Sequence, residues 1–219
     1  MTRFQAIDDR LVLSAARELF LERGVAATTA EVAARAGVSE GSLFKRWPTK
    51  AELFHAALRL GGPPQWVLEL GTRVGRGRVE EQLREIGLQC LEFYRTLLPL
   101  VTMAWSEPST RNRLIQDEDK PGPVRGTDAL KRYLEEEMGA GRLRMADADI
   151  AARTFLGALH NYAWVELTFG AERGELPPEK TFVKQLVSLL LVGLAPGGSQ
   201  ESAKSTATSR PSKNGKRSS

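Results

Sequence analysis

The side chains whose types and spacing predict chemistry cluster within residues 28–53. They are short hydroxyls, one glycine and three cations, namely Thr29, Ser39, Gly41, Ser42, Lys45, Arg46, Thr49 and Lys50. Hydroxyl, ammonium and guanidinium groups donate hydrogen bonds to phosphate oxygens, and a lysine can also donate to O6 and N7 of guanine. The pattern therefore predicts recognition of a nucleic acid, with Lys45 as the best candidate for a base contact.

Two short helices joined by a tight turn must position these side chains. Thr28 and Glu31 have the three-residue spacing of a capping box, which begins a helix. Gly37 follows that helix where the chain needs a positive φ, and glycine adopts this without a Cβ penalty. Ser39 is a strong N-cap for a second helix over Glu40–Arg46. The segment thus predicts a helix-turn-helix.

The second helix has an inward and an outward side. Leu43 and Phe44 are the candidates for the inward side. The outward side carries Gly41, Ser42, Lys45 and Arg46. A helix of this kind is laid into the major groove of DNA in helix-turn-helix proteins. Thr49 and Glu52 form another capping box, so a further helix starts there, with Lys50 and free backbone amides suited to a phosphate.

Residues 10–58 resemble the DNA-binding domain of the TetR family of bacterial transcriptional regulators. The consensus sequence of that family after the turn is Gly-Val-Ser-x-Gly-x-Leu-Tyr-x-His/Tyr-Phe-x-x-Lys-x-x-Leu. Residues 37–53 of this chain are GVSEGSLFKRWPTKAEL. Phe44 replaces the common tyrosine, so the phenol that reaches a phosphate is missing. Arg46 stands for the usual histidine or tyrosine, and its guanidinium could restore that contact. Trp47 replaces the usual phenylalanine.

The predicted fold is all-α, because apolar residues recur with a period near 3.6 and sustained alternation is scarce. We expect a helix-turn-helix domain over residues 1–62, ended by the glycines and prolines of residues 61–64. A larger helical effector-binding and dimerisation domain follows over residues 63–195. Residues 196–219 are rich in Ser, Lys, Gly and Thr and lack aromatics, which predicts a disordered basic tail.

Within the second domain, the glycine-rich residues 71–78 lack the context of a phosphate-binding loop and are predicted to be a flexible linker. A long helix is expected over residues 79–98, with Pro99 starting or kinking another. Residues 116–125 are predicted to be a loop. Asp147 or Asp149 is expected to cap a helix that ends near Phe169, and the last helix spans residues 179–194.

The last two helices have broader apolar faces than one core requires. The resemblance implies that they pair with their copies as a four-helix dimer bundle. The predicted interface consists of Leu156, Leu159, His160, Ala163, Leu167, Leu186, Leu189 and Leu190. A two-fold dimer presents two recognition helices about 34–36 Å apart, so the operator should be an inverted repeat. For His160, a buried or dimer-seam position is favoured over a ligand contact.

The resemblance also implies an effector pocket inside the second domain. The candidate lining residues, each a core residue by default, are Cys90, Phe93, Tyr94, Met103, Trp105, Tyr133 and Trp164. Their side chains favour a small lipophilic or aromatic effector. Such an effector would favour a dimer whose DNA-binding heads are wrongly spaced, and it must bind that state more tightly. The expected protein is a ligand-responsive repressor.

Composition excludes several other classes. The net charge of +4 equals that of residues 196–219, which carry five basic residues against Glu201, so the pI near 9.4 is largely a property of the tail. Two histidines and one cysteine lack metal-site spacing, and nothing forms a catalytic constellation, so we expect no enzyme, cofactor or metal. No apolar run of 18 residues and no secretory signal are present. A cytoplasmic protein is expected.

Two alternatives remain open from the sequence. The first is an all-α small-molecule carrier or enzyme with a vestigial helix-turn-helix. The second is a nonspecific nucleic-acid-binding protein that depends on the basic tail. Loss of binding when residues 197–219 are deleted would favour the latter.

Overall fold

The computed structural model describes residues 8–59, 62–116, 122–173 and 175–194, and all regular structure in these ranges is helical. The α-helices there are α1 Asp9–Arg23, α2 Thr29–Ala36, α3 Glu40–Arg46, α4 Lys50–Leu58, α5 Gln65–Arg73, α6 Val79–Ser106, α7 Pro108–Gln116, α8 Gly122–Gly139, α9 Ala148–Phe169 and α10 Glu179–Leu194. A 3-10 turn at Gly24–Ala26 joins α1 to α2. The all-α prediction is confirmed. The predicted tail, residues 196–219, lies outside the described residues.

The first apolar core is built by α1 to α4 and is closed by a helix from further along the chain. Phe20, Leu43 and Leu53 are fully buried at its centre, and Phe20 meets Phe54 edge to face with ring centroids 4.7 Å apart. Leu100 and Ala104 of α6 belong to the same core. Because α6 completes this core, the N-terminal helices are packed directly onto the rest of the protein.

Pro99 lies inside α6, so no new helix starts there, which was one of the two outcomes that the sequence predicted for this proline. Proline removes one backbone hydrogen bond and costs about 3 kcal/mol or more inside a helix. Leu98 and Leu100 on either side are buried, and burial of each leucine is worth about 1.5–3 kcal/mol. Tertiary packing therefore offsets the local preference, and one helix spans both apolar cores.

The second core is formed by α5, α6, α8, α9 and α10. Gly87 lies where α6 packs tightly against α10 and α9, because a Cβ at this position would stand 2.7 Å from Val183 Cγ1 of α10 and 3.4 Å from Phe155 Cζ of α9. A glycine is required here for space rather than for backbone conformation.

A network of ion pairs joins α6, α9 and α10. Arg95 of α6 donates through Nε to Glu166 of α9 at 2.7 Å and through Nη2 to Glu179 of α10 at 2.8 Å. Its hydrogen bond to Glu166 is the main reason why the pKa of Arg95 is raised above its ordinary value. The arginine thus orients α9 and α10, the two helices predicted to dimerise, against α6.

Residues 71–78 are not the free linker that the sequence predicted. Residues 71–73 end α5, and the segment after it is tied by long-range hydrogen bonds to Glu137 of α8 and to Arg142, which follows α8. The amide of Gly75 donates to Glu137 Oε1 at 3.0 Å, and Arg142 Nη2 donates to the carbonyl of Gly77 at 2.6 Å. Glu137 is completely buried and also pairs with Arg142 at 2.9 Å. The partners lie more than 60 residues away, so no local pattern indicated them.

The predicted loop over residues 116–125 overlaps a helix at each of its ends. Gln116 ends α7, and residues 122–125 already belong to the first turn of α8. Residues 117–121 lie outside the described residues.

Candidate DNA-binding surface

The turn between α2 and α3 has the local geometry that the sequence predicted. Thr28 Oγ1 accepts from the amide of Glu31 at 3.2 Å, and Glu31 Oε2 accepts from the amide of Thr28 at 2.9 Å, which completes a capping box. Gly37 has a φ of 69° and closes α2 in the left-handed region. Two reciprocal caps and one glycine therefore fix where α2 starts and where the chain turns.

The start of α3 is fixed by three hydroxyl contacts. Ser39 Oγ accepts from the amide of Ser42 at 3.1 Å and lies 2.7 Å from the Ser42 hydroxyl. Thr29 Oγ1 donates to Glu40 Oε1 at 2.6 Å, which holds the first turns of α2 and α3 together. Leu43, at 1% exposure, anchors α3 in the first core. These contacts attach α3 to α2 and to the first core and leave its opposite side facing solvent.

The structure brings the eight predicted DNA-binding residues onto the starts of α2 and α4 and along α3. Thr29 and Ser42 are half-buried, and the others are exposed. Gly41 lies in open space, since a Cβ added at this position would meet no atom within 4 Å. Thr49 caps α4 by accepting from the amide of Glu52 at 3.1 Å. A capped helix start beside an exposed short helix is suited to phosphate contacts.

The three predicted cations have different surroundings. Lys45 is exposed on α3. Arg46 pairs with Asp9 of α1 across 3.1 Å, and both side chains are about half exposed. Lys50 Nζ donates to the carbonyl of Val25 at 2.6 Å, so it ties the start of α4 to the 3-10 turn. Two of the three cations thus have structural contacts in the protein alone.

Two residues of α3 were missed or misplaced by the sequence analysis. Phe44 was a candidate for the inward side, but it is 39% exposed and lies outside the apolar core. With Gly41 and Lys45 it forms an i, i+3, i+4 set on the outer side, a spacing that could have identified it. Glu40, which the sequence analysis did not include in the surface, is exposed at the start of α3, and its carboxylate accepts a hydrogen bond from Thr29.

A cavity of about 210 Å³ lies between α1, the 3-10 turn and α4 on one side and α6 and α7 on the other. Its lining residues are Phe20, Val25, Lys50, Ala51, Phe54, Met103, Glu107, Ser109 and Thr110. Glu107 accepts from the amide of Thr110 at 2.9 Å, at the start of α7. Hydrogen bonds from Ser109 and then Thr110 lower the pKa of Glu107 to about 2. The carboxylate is therefore ionised at neutral pH and held by its own helix.

The seven predicted effector-pocket residues lie in different parts of the structure. Met103 lines the cavity just described and packs against the first core. Cys90 and Tyr133 are buried in the second core, and burial raises the pKa of both side chains. Trp105 and Trp164 are exposed. Phe93 and Tyr94 pack at the second core, and Tyr94 meets the ring of His160 at 5.7 Å.

The predicted dimer residues fall into two groups. Buried or partly buried within the protomer's own core are Leu156, Leu159, Ala163, Leu186 and Leu190. Exposed on the outer side of α9 and α10 are His160, Leu167 and Leu189. The fully buried Leu159 and Ala163 leave no side-chain surface for a second copy, because their apolar faces already pack inward. The eight residues predicted as one interface are thus divided by burial into core residues and exposed residues.

Two other kinds of site are absent from the described ranges. Among residues 8–59, 62–116, 122–173 and 175–194, no group of three or more His, Cys, Asp or Glu side chains could hold a metal ion. None of the helices in that part of the chain is both long and apolar enough to cross a membrane.

Two family models match the chain, and both concern regulators. Residues 12–57 match the model of bacterial regulatory proteins of the tetR family. Residues 81–192 match the C-terminal domain of AefR-like transcriptional repressors. No curated protein matches the chain.

Solved structures with the same fold come from several bacteria. A candidate TetR-family regulator from Mesorhizobium loti shares 17% identity at a TM-score of 0.69, with 85% of this chain and 96% of that chain covered. SmeT, the repressor of a multidrug efflux pump of Stenotrophomonas maltophilia, shares 22% identity at a TM-score of 0.61, with 89% of this chain and 96% of that chain covered. GusR of Salmonella enterica shares 18% identity at a TM-score of 0.61, with 84% of this chain and 95% of that chain covered.

The two matched models together cover most of the described helices, and the second alone spans half of the chain. The protein belongs to the TetR family of bacterial transcriptional regulators. Its N-terminal helices are the family's DNA-binding domain, and a larger helical domain follows.

Proposed function

We propose that this protein is a transcriptional repressor that binds an inverted-repeat operator as a homodimer. The observation that supports this most is the attachment of α3 to the first core through Leu43, which leaves Gly41, Phe44 and Lys45 together on its exposed side. A helix of this length and composition fits the major groove. The match of residues 81–192 to a repressor's C-terminal domain supports the sign of regulation. Such a protein acts in the cytoplasm, where bacterial DNA is.

Within this proposal the side chains divide between base and phosphate contacts. Lys45 donates to guanine O6 and N7. Lys50, Thr49 and the free amides at the start of α4 bind a phosphate. The exposed ion pair between Arg46 and Asp9 is worth little in water, so the guanidinium exchanges readily to a phosphate on binding.

The short hydroxyls make the remaining polar contacts of the proposal. Ser39, Ser42 and Thr29 already cap or brace α2 and α3. Each hydroxyl retains an acceptor or donor for phosphate oxygens or base edges. Because the caps exist without DNA, binding orders few new side chains, and less conformational entropy is lost.

Sequence selection from a random duplex library tests the base contact of Lys45. The wild-type protein should enrich an inverted repeat, and Lys45→Ala should weaken binding by about 1–3 kcal/mol per half-site while relaxing one base position. The control is Lys131→Ala, a lysine of α8 paired with Glu135 at 3.6 Å and outside the predicted surface. An unchanged sequence preference in Lys45→Ala would exclude this residue as a base contact.

The dimer uses the outer side of α9 and α10. Trp164, Leu167 and Leu189 are large apolar side chains left exposed there, and Leu189 is 73% exposed. Exposed apolar patches mark interaction sites, and these side chains lie on two helices that pack against each other. His160 lies on the exposed side of α9 as well. We infer that a second copy covers these side chains through a two-fold contact.

Sedimentation velocity on charge variants tests this interface. Leu189→Glu should dissociate the dimer, since a carboxylate buried without a partner is costly. Its control is Leu68→Glu on α5, where the leucine is also mostly exposed but lies on another helix. A monomer in both variants, or a dimer in both, would contradict this choice of face.

An effector relieves repression in this proposal. It lowers operator affinity only if it binds the free protein more tightly than the operator-bound protein. The apolar character of the helical domain favours a small lipophilic or aromatic molecule.

A further inference from the structure

The cavity of about 210 Å³ between the DNA-binding helices and the α6–α7 corner has walls from both parts of the protein. Val25, Lys50 and Phe54 come from the DNA-binding side. Met103 of α6 and Thr110 of α7 come from the other side. Any molecule that fills this space therefore contacts both parts at once.

We propose that this cavity is a regulatory site for a small, neutral, largely apolar molecule, and that its occupancy lowers operator affinity. The proposal rests on the proposed function, because it assigns to the repressor a site of regulation. The site differs in place from the seven residues that the sequence predicted for an effector, of which it contains Met103 alone.

The lining defines the chemical class of the molecule. The floor is the edge-to-face pair of Phe20 and Phe54, both buried, and Met103 adds a polarisable thioether that suits aromatic rings. The two charged residues, Lys50 and Glu107, already have partners within the protein and are of opposite sign. A charged ligand would gain no unpaired counter-ion here, so a neutral one is favoured.

The volume limits the size of the molecule. An apolar cavity of about 150 Å³ accommodates benzene in a well-studied case. A cavity of about 210 Å³ thus suits a bicyclic aromatic or a branched aliphatic molecule of similar size.

The coupling to DNA follows from Lys50. Its ammonium group donates to the carbonyl of Val25, and both residues line the cavity. A molecule packed against this wall holds the lysine on Val25, so the side chain is withheld from the phosphate that we assign to it. It also holds α4 against α7, and α3 directly precedes α4. Operator binding and cavity binding then oppose each other, as linkage requires in both directions.

The test uses full-length protein and three neutral probes: indole, quinoline and 2-naphthol. Calorimetry measures their binding, and fluorescence anisotropy measures the affinity for the operator enriched by selection, with and without each probe. We expect at least one probe to bind and to weaken operator binding about five-fold or more. Absence of binding by all three probes, or unchanged operator affinity at probe saturation, overturns the proposal.

Cavity filling supplies the matched variants. Ala51→Leu adds bulk to the α4 wall and should abolish probe binding. The control Ala56→Leu makes the same change on the same helix, at a position equally half-buried but outside the lining. Probe binding that survives in Ala51→Leu as in the wild-type protein overturns the location.

A measurement without substitution keeps the test valid if Ala51→Leu fails to fold. The chain has four methionines, so methyl-labelled methionine gives few NMR signals. The Met103 methyl resonance should shift on probe binding, while those of buried Met138 and exposed Met145 stay in place. Shifts at Met138 without one at Met103 would place the probe in the second core and overturn the proposal. If selection enriches no operator at all, the proposed function fails, whereas calorimetry and NMR still decide whether the cavity binds probes.

Discussion

Lys50 has one contact in the structure and a second one in the proposal, and the substitution Lys50→Met separates them. Its ammonium group donates to the carbonyl of Val25 at 2.6 Å. In the DNA complex we assign the same group to a phosphate. Methionine keeps the length and apolar stem of the side chain but removes the charge and the donor.

The two roles predict effects of different size on different quantities. Loss of an exposed hydrogen bond lowers the free energy of unfolding by about 0.5 kcal/mol. Loss of one phosphate contact lowers the slope of log K against log salt by about 0.9 per protomer, or about 1.8 for a dimer on its operator. Only the second effect depends on ionic strength.

Fluorescence anisotropy at four salt concentrations measures the slope, and urea unfolding measures the stability. Lys131→Met is the control and should change neither. A slope for Lys50→Met equal to that of the wild-type protein would refute the phosphate contact and leave Lys50 as a strut between α4 and the 3-10 turn.

Four further predictions concern single positions. Gly37→Ala should destabilise the protein by about 1–2 kcal/mol in urea unfolding, because its φ of 69° penalises a Cβ although no atom crowds it; an effect below the error would contradict this reason. Gly87→Ala should cost about 1–3 kcal/mol through overpacking against Val183, whereas Gly71→Ala, at an open helical position, should stabilise by up to about 1 kcal/mol. Phe44→Tyr should tighten operator binding in anisotropy by supplying a phenol for a phosphate, and Phe44→Leu should not; equal affinity in all three proteins would exclude the contact. The pKa of Glu107, about 2 in the folded protein, lies below its ordinary value of 4.5. The ionised carboxylate therefore stabilises the folded protein fully above pH 4.5, and this contribution to the free energy of unfolding is lost as the pH falls toward 2. The difference in urea midpoint between the wild-type protein and Glu107→Gln should therefore shrink between pH 5 and pH 3, and a constant difference would count against it.

Helix starts were predictable because caps are local interactions. Asp8, Thr28, Ser39, Thr49 and Asp147 each accept a backbone hydrogen bond at the start of a helix. The donor and acceptor in such a cap are two or three residues apart, so the sequence itself contains both. The helix-turn-helix was predictable for the same reason.

Long-range packing decided features that the sequence left open or predicted wrongly. Pro99 stays inside α6 because the leucines beside it are buried by other helices. Residues 74–78 are fixed by Glu137 and Arg142, which belong to a distant part of the chain. Neither set of contacts leaves a local pattern.

The candidate interfaces show a further limit. A broad apolar stripe does not tell which residues face the core and which face a second copy, and burial assigned Leu159 to the core but left Leu189 exposed. Phe44 was likewise a candidate for the inward side of α3, but it is exposed. The cavity at the α6–α7 corner draws its walls from residues 20–110, so its assembly could not be inferred before the helices were placed.

Selection of duplexes from a random library by the full-length protein is the most direct test of the central claim. The account predicts enrichment of one inverted repeat with half-sites about one helical turn apart. The affinity of the protein for this duplex should fall steeply with salt concentration and should be retained when residues 197–219 are deleted. Equal recovery of all sequences, or enrichment that disappears with the tail, would contradict a repressor that recognises its operator through α3.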